Sequence, residues 1–182
     1  MDTPDGPWTV IQNRQDGQVD FYRSWEDYKN GFGNIKGNFW LGNEAIHRLA
    51  LTASVLRIEL VSWLGDARYA QYSTFRVENE TANYRLTVSG FSGNVTENSM
   101  APHNGMSFST FDRDNDESGV HQCATLCKGG WWYNSCYGTN LNGAEYKNDA
   151  DNVKQLVWKF FYPSRKYAGM RKTKMLVKRI QP

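Results

Sequence analysis

The chain of 182 residues contains no long apolar run and has only three cysteines. No stretch approaches the roughly 18 consecutive apolar residues that a membrane-spanning helix needs, so we expect no membrane span. An apolar segment of the signal-peptide type is also missing near the N-terminus. Pro/Ser linkers, internal repeats and low-complexity tracts are absent as well. The length suits one well-buried domain, and nothing in the sequence requires two.

Sequence motifs of enzymes and of nucleic-acid-binding proteins are also missing. Neither a G-x-S-x-G nucleophile motif nor an H-E-x-x-H metal motif occurs. His103 and His121 stand near Asp-rich segments, and Cys127 is a candidate free thiol, but no nucleophile–base motif connects them. Basic residues are not interleaved with base-stacking motifs. We therefore expect neither a catalytic activity nor a nucleic-acid partner.

Hydrophobic periodicity predicts strands and two short helices. Residues 56–63 alternate apolar and charged side chains, which is typical of a half-buried antiparallel strand. Ser24 and Asp27 predict the cap and first turn of a helix that Gly31 ends, and Asn43 is expected to cap a second helix over 44–49. Further strands are predicted over 8–12, 69–77, 84–88, 157–161 and 175–180.

The second half of the sequence is much less regular than the first. Residues 89–154 are mostly Gly, Asn, Asp and Ser, with few periodic runs. An irregular stretch of this length inside a compact domain is usually functional. Strands with short helices, followed by a loop-rich half, predict an α+β domain built around an antiparallel sheet.

The most informative segment is Phe-Ser-Thr-Phe-Asp-Arg-Asp-Asn-Asp. Its alternating carboxylates, Asp112, Asp114 and Asp116, place hard oxygen ligands on one side of a loop, which suits Ca²⁺. The loop is not an EF-hand. Counted from Asp112, its sixth position is Glu117 where Gly is needed, and its twelfth is Cys123 where a bidentate Glu belongs.

Further motifs follow this segment in a set order. A Cys-x12-Cys pair surrounds Gly-Trp-Trp and precedes Asn-Leu-Asn-Gly, and related motifs occupy 6–14, 31–34, 39–43 and 172–175. This ordered set strongly resembles the fibrinogen C-terminal domain of fibrinogen chains, ficolins, tachylectins, tenascins and angiopoietins. The resemblance runs from about Gly6 to Pro182. It implies one fibrinogen C-terminal-like domain over 1–182 that lacks the family's usual N-terminal segment, so we expect Met1 to begin an excised domain.

The resemblance implies a calcium site in the acidic loop. The family's carboxylate ligands correspond to Asp114 and Asp116, and its backbone carbonyl ligands correspond to Ser118 and Val120. Asp112 is expected to support the loop. The Ca²⁺ would be architectural, since it would neutralise the loop and connect it to the neighbouring segment.

The cysteines have two interpretations. The resemblance implies a disulfide between Cys123 and Cys136, which would contribute about 2–4 kcal/mol. Cys127 then makes the count odd, and it would be a free thiol, an alternative pairing partner or an intermolecular cysteine. The rival is a Cys₃His zinc site that adds His121 to the three cysteines.

The resemblance also implies a ligand pocket beside the second cysteine, with a cis bond between Ser135 and Cys136. Acetyl-binding members usually have His after this cysteine, where this sequence has Tyr137. An acetyl methyl group would need an aromatic wall, whereas Asp149 or Asp151 would suit a cationic group. The candidate ligand-binding residues are Trp132, Tyr133, Ser135, Cys136, Tyr137, Asp149 and Asp151.

Sequons and charge indicate the compartment and one class of partner. Asn79 and Asn94 each begin an N-x-Thr tripeptide, so both are candidate glycosylation sites of a secreted, extracellular protein. Residues 154–182 contain nine Lys or Arg and no acid, although the net charge of the whole sequence is only +2. Strand alternation should place some of these cations on one face, which favours polyanions such as sulfated glycans.

The function that these features favour is that of a secreted, calcium-binding, lectin-like domain that recognises microbial or host glycans in innate immunity. The alternative is an adhesion or receptor-binding module with a protein partner, which the resemblance to tenascins and angiopoietins allows. In either case the full-length protein is expected to be oligomeric.

Overall fold

The computed structural model describes residues 2–3, 6–144 and 154–180. Within them, nine strands form one antiparallel sheet, and two short strands form a separate N-terminal pair. The strands are β1 Asp2–Thr3, β2 Gly6–Pro7, β3 Thr9–Arg14, β4 Phe32–Gly33, β5 Phe39–Trp40, β6 Ser54–Ser62, β7 Ala67–Val77, β8 Leu86–Gly93, β9 Thr139–Asn140, β10 Val157–Tyr162 and β11 Arg165–Arg179. The order across the main sheet is β4-β5-β3-β11-β6-β7-β8, with β10 and then β9 added beside β11.

The predicted alternation of the central strand is confirmed. Leu56, Ile58 and Leu60 on β6 are fully buried, whereas the intervening Arg57 and Glu59 are only partly buried. Alternate side chains of a strand point to opposite faces. The sheet therefore has an inner face, against which the core packs, and an outer face that carries charged side chains.

The first helix forms as predicted, and the second differs in its cap. Helix α1, Trp25–Asn30, has a capping box between Ser24 and Asp27 and ends at Gly31. Helix α2, Asn43–Leu49, is preceded by Gly42 at φ 105°, a backbone conformation that favours glycine. Asn43 is already helical and does not cap. Helix α3 is Cys123–Cys127, and no helix of the described residues is long and apolar enough to cross a membrane.

Two strand predictions were wrong in their bounds. Tyr84 has a φ of 49° and lies in the turn before β8, so the strand predicted over 84–88 begins only at Leu86. The strand predicted over 175–180 is the end of the 15-residue β11, which begins at Arg165. The second part of β11 pairs with β3 on one side and with β6 on the other, and its first residues pair with β10. These pairings keep the long strand in the sheet.

The loop-rich half packs on the inner face of the sheet and is held there by buried polar bonds. The amide of Gln12 on β3 donates to the carbonyl of Leu141 at 2.8 Å, and it accepts a bond from Thr173 on β11 at 3.1 Å. The guanidinium of Arg14 donates to the carbonyl of Gly143 at 3.0 Å. Buried hydrogen-bonded groups of this kind specify how irregular segments sit on a sheet. The α+β architecture is confirmed.

Candidate functional site

Asp112, the first carboxylate of the acidic loop, supports local structure. One of its oxygens accepts a 2.9 Å bond from the backbone N–H of Trp25, the first residue of α1. The same oxygen accepts a 2.7 Å bond from the Thr110 hydroxyl. Asp112 therefore connects the acidic loop to the start of the first helix.

The other two carboxylates shape the loop around themselves. The carboxylate of Asp114 accepts a 3.2 Å bond from the backbone N–H of Asp116. One oxygen of Asp116 accepts from the N–H of Ser118 at 2.8 Å, and the other accepts from the N–H of Cys123 at 2.7 Å. The two acidic groups consequently lie side by side, with the backbone of residues 116–123 turned around one of them.

The pKa of Asp116 reflects this crowding. Partial burial raises the pKa of its carboxyl group, and the nearby Asp114 raises it further. The N–H groups of Cys123 and Ser118 act in the opposite direction, because they stabilise the ionised form. A cation beside the two carboxylates would stabilise their ionised forms, and it would thus offset the effects of burial and of Asp114 on the pKa of Asp116.

The donor chemistry fits calcium better than zinc. Carboxylate oxygens and backbone carbonyls are the ligands that Ca²⁺ takes in proteins. Ser118 is half-buried and Val120 is exposed at 84%, so this stretch of backbone runs along the protein surface. No group of three or more His, Cys, Asp or Glu side chains suited to a metal occurs in residues 2–3, 6–144 and 154–180.

The cysteine chemistry decides between the two interpretations. Cys123 and Cys136 form a disulfide, so neither sulfur is available as a zinc thiolate. The Cys₃His zinc interpretation is therefore wrong, and His121 is an exposed residue. Cys127 is a free, fully buried cysteine on α3, and burial raises the pKa of its thiol to about 12.

Two of the aromatic pocket candidates lie in the core. Trp132 and Tyr133 have no exposed surface, so neither can be the wall of an open pocket, contrary to the expectation from the motif. The indole N–H of Trp132 donates to the carbonyl of Tyr84 at 2.8 Å, and the Tyr133 hydroxyl donates to the carbonyl of Gly129 at 2.8 Å. Both side chains hold segments of the loop-rich half together from within.

The remaining pocket candidates lie at the surface or outside the described residues. Ser135 is exposed, Cys136 and Tyr137 are half-buried, and the Ser135–Cys136 peptide bond is cis. The ring of Tyr137 packs against that of Tyr167 on β11, with 5.4 Å between their centroids. Asp149 and Asp151 lie outside the described residues. The surface defined by Ser135, Cys136 and Tyr137 is called the Ser135–Tyr137 segment below.

The acidic loop and the Ser135–Tyr137 segment are directly connected. The backbone N–H of Glu117 donates to the carbonyl of Asn134 at 3.1 Å. The Cys123–Cys136 disulfide makes a second, covalent connection, and Asp116 bonds the first of these cysteines. The conformation of the acidic loop is therefore coupled to that of the segment beside the second cysteine.

His103 has a structural role in the loop-rich half of the domain that the sequence did not indicate. Its Nδ1 donates to the carbonyl of Trp132 at 2.6 Å, because Nε2 accepts bonds of 3.1 Å from the N–H groups of Gly138 and Thr139. Burial lowers the pKa of His103 to about 4, so the ring is neutral. The pattern of residues around it has no feature that predicts these partners, which come from two separate segments.

Both sequons lie at exposed positions. Asn79 uses its side-chain oxygen to accept bonds from Ala82 and Thr81 at the start of a short 3₁₀ helix, Glu80–Ala82. The side-chain oxygen of Asn94 accepts a 2.7 Å bond from the backbone N–H of Tyr69. Each asparagine is exposed, which is a requirement of N-glycosylation.

Comparison with known proteins gives consistent matches across the sequence. The family model of the C-terminal globular domain of fibrinogen beta and gamma chains matches residues 1–180. Angiopoietin-related protein 7 of Mus musculus is 52% identical over 147 residues, which cover 81% of this chain and 43% of that protein. Ficolin-3 of Homo sapiens is 47% identical over 144 residues, which cover 79% of this chain and 48% of that protein. The matched region thus spans less than half the length of these curated relatives.

A solved structure agrees with these sequence matches. The fibrinogen-like globe domain of human ANGPTL2 superposes with a TM-score of 0.89 at 38% sequence identity. The match covers 97% of this chain and 82% of that domain. The agreement therefore extends over the sheet and the loop-rich half together.

Proposed function

This protein belongs to the family of C-terminal globular domains of fibrinogen beta and gamma chains, and on that premise we propose that it is an extracellular recognition domain for a protein partner. Calcium bound at the acidic loop would order its recognition surface. That surface would be the Ser135–Tyr137 segment with its immediate surroundings. The activity and partners of any longer protein that contains the domain are part of this proposal.

The burial of Trp132 and Tyr133 carries the choice of a protein partner over an acetylated glycan. A pocket for an acetyl group needs an apolar aromatic wall, and these two side chains have no exposed surface. Tyr137 is half-buried and packs on Tyr167, so it offers part of a ring at an open surface. Partly exposed Tyr rings with neighbouring polar groups are typical of protein–protein contacts.

The relatives support the same choice. Angiopoietin-related protein 7 and the ANGPTL2 globe are among the similar proteins. Resemblance to the angiopoietin branch of the family is what implied a receptor-binding module. Similarity to ficolin-3 supports the second candidate, a calcium-dependent lectin for microbial or host glycans.

The calcium proposal rests on the arrangement of the acidic loop. Asp114 and Asp116 would supply carboxylate oxygens, and Ser118 and Val120 would supply backbone carbonyls. The ion would supply positive charge that offsets the repulsion between the two carboxylates. The protein itself supplies the connection to the recognition surface, through the bond from Glu117 to Asn134 and through the disulfide.

Secretion and the absence of catalysis are further parts of the proposal. The disulfide is of the kind that persists in oxidising compartments, which supports an extracellular location. Among the groups considered for catalysis, His103 is buried with both ring nitrogens bonded, and Cys127 is buried as a thiol. We also expect the full-length protein to be oligomeric, which would raise its avidity for a surface-bound partner.

An array experiment distinguishes the protein partner from the glycan partner. Purified receptor ectodomains and N-acetylated glycans are printed together and probed with the labelled domain, once with CaCl₂ and once with EDTA. We expect saturable, calcium-dependent binding to an ectodomain that survives enzymatic removal of that ectodomain's glycans. Tyr137→Ala should weaken this binding, whereas a control substitution at the exposed Arg85, which directly precedes β8, should not.

The opposite result on the same array would overturn the proposal. Calcium-dependent binding to N-acetylated glycans, lost from the ectodomains once they are deglycosylated, would establish the lectin function instead. Binding that is equal in calcium and EDTA would contradict the role given to the acidic loop.

A further inference from the structure

The outer face of the sheet contains a trough that lies away from the Ser135–Tyr137 segment. Two adjoining cavities, of about 190 and 220 Å³, share Glu59 and Val61 as lining residues. Together they cross four strands, because Asn13 on β3, Lys174 on β11, Glu59 on β6 and Tyr69 on β7 are register partners in one row. Neighbouring strands lie about 4.8 Å apart, so the row is about 14 Å long. We call this feature the outer trough.

Strand alternation concentrates positive charge in the outer trough. Lys172 and Lys174 leave β11 on the outer face, whereas Thr173 between them is buried and faces the core. Arg57 lines the second cavity from the outer face of β6. Arg68 also borders that cavity, but it is the register partner of the buried Leu60 and its guanidinium bonds the carbonyl of Phe161, so its charge points away from the outer face. Apart from Arg68 and the buried Arg14, the cations of the trough within the described residues are Lys172, Lys174 and Arg57.

The negative charge in the same place is small and already paired. Glu59 is the one carboxylate lining the trough within residues 6–144 and 154–180, and it forms a 3.1 Å ion pair with Arg57. Lys172 and Lys174 form no ion pair with a carboxylate of the described residues. The net charge of the whole sequence is only +2, so the positive charge of the trough is a local concentration.

An aromatic ring holds one of the cations in place. The guanidinium of Arg57 lies over the ring of Tyr69, 4.0 Å from its centroid, and Tyr69 belongs to the same outer-face row as Glu59. A stacked arginine loses less conformational freedom when it binds an anion, since its planar group is already oriented.

From these observations we propose that the outer trough binds a linear sulfated polysaccharide. Sulfate groups match the cations by charge, and the row across four strands suits a chain of sugars better than a single small anion. An acidic peptide would ordinarily add to a sheet edge, where backbone groups are unpaired. The trough lies on the face of the central strands, whose backbone groups are paired within the sheet, so recognition there must come from side chains.

The position of the trough separates it from the proposed protein-binding surface. The loop-rich half is fixed to the inner face of the sheet by Gln12 and Arg14, and the trough opens on the outer face. One domain can therefore hold a sulfated polysaccharide of the pericellular matrix on one side and a protein partner on the other. Binding at the trough does not depend on calcium in the acidic loop, and it stands whether or not the protein partner is found.

Immobilised heparin is the probe that tests the proposal. Affinity is measured by surface plasmon resonance over a series of NaCl concentrations, for the wild type and for Lys172→Glu/Lys174→Glu. The matched control is Arg85→Glu/Lys166→Glu, which makes the same change in net charge at two exposed cations outside the trough. Unchanged thermal unfolding confirms that each variant folds, and Lys172→Gln/Lys174→Gln replaces the charge-reversal variant where that one unfolds.

We expect the affinity of the trough variant for heparin to fall at least about tenfold. The slope of log affinity against log NaCl concentration should decrease by the amount that corresponds to about two lost ionic contacts. The control should stay within about twofold of the wild type, since its cations lie elsewhere. The heparin affinity of the wild type should be the same in CaCl₂ and in EDTA, which separates this proposal from the calcium-dependent one. Unsulfated hyaluronan should bind much more weakly than heparin.

Three outcomes would overturn the proposal. The first is the absence of heparin binding at physiological ionic strength. The second is an equal loss in the trough variant and the control, which would mean that net charge alone drives binding. The third is equally strong, Lys172/Lys174-dependent binding of poly-glutamate, which would make the trough a site for acidic polypeptides.

Discussion

The backbone N–H of Cys123 donates a 2.7 Å hydrogen bond to the carboxylate of Asp116. This bond joins the acidic loop to the first cysteine of the disulfide, and the disulfide leads directly to Cys136 in the proposed recognition surface. A charge change at Asp116 therefore has a short structural path to the Ser135–Tyr137 segment. The path explains how an ion in the acidic loop could control the binding of a partner that the ion does not itself contact.

Calcium should stabilise the folded domain. A ligand that binds only the native state at about 100 times its Kd adds about 2.7 kcal/mol. For a domain of this size that corresponds to a rise in Tm of about 5–10 °C. Thermal unfolding in CaCl₂ and in EDTA measures the difference, which Asp114→Asn/Asp116→Asn should abolish.

The matched control for calcium is Glu117→Gln. Glu117 is exposed and next to Asp116, and only its backbone N–H takes part in the bond to Asn134. This variant should keep the calcium-dependent rise in Tm. A wild-type Tm that is the same in calcium and in EDTA would contradict the site.

His103 should make the domain less stable at mildly acidic pH. Its pKa in the folded state is about 4, below the ordinary 6.5, because burial disfavours the charged ring. Its contribution is therefore fully present above pH 6.5 and is lost as the pH falls toward 4, since the unfolded state binds the proton first. Between neutral pH and pH 5 the loss should be about 2 kcal/mol.

Denaturant unfolding of wild type and His103→Gln across this pH range checks the effect. The variant should be less stable at neutral pH, because bonds to Trp132, Gly138 and Thr139 are disturbed. It should also have a flatter pH dependence than the wild type. His121→Gln, a change at an exposed histidine, serves as the control, and equal slopes in all three proteins would refute the assignment to His103.

Cys127 should be chemically inert in the folded protein. Its thiol is fully buried and burial raises its pKa to about 12, so almost no thiolate is present at neutral pH. Iodoacetamide should label no cysteine in the native domain and one cysteine after unfolding without reductant. Rapid labelling under native conditions, or dimers that dissociate on reduction, would show that Cys127 is accessible.

Asn79 and Asn94 should carry glycans when eukaryotic cells secrete the domain. Both are exposed and begin intact sequons. Peptide:N-glycosidase treatment should lower the mass in two steps, and Thr81→Ala and Thr96→Ala should each remove one of them. A secreted protein with the unmodified mass at both positions would contradict this prediction.

Local signals in the sequence predicted the parts of the fold that depend on neighbouring residues. Ser24, Asp27 and Gly31 define a helix through caps that involve only a few adjacent residues. The alternation over 56–63 predicted which side chains of β6 face the core. The disulfide pairing and the assignment of Asp114 and Asp116 as calcium ligands were implied by the resemblance to a known family. The spacing of the cysteines alone also allowed a zinc site.

Features that depend on distant segments could not be predicted in the same way. Trp132 and Tyr133 stand in an aperiodic stretch, and the burial of Trp132 results from packing against residues far along the sequence, such as Trp40 and Phe108. The partners of His103 come from Trp132 and from the start of β9. The outer trough required the register of four strands, which composition cannot supply.

Hydrogen–deuterium exchange of the acidic loop tests the central claim, that calcium at Asp114 and Asp116 orders the recognition surface. Exchange is followed at the amides of Glu117, Ser118 and Cys123, which bond Asn134 and Asp116, and in peptides covering 134–138. We predict that calcium slows exchange at these amides by at least about tenfold, with no change in Asp114→Asn/Asp116→Asn. Identical exchange in calcium and EDTA, in a protein that still binds its partner, would contradict the account.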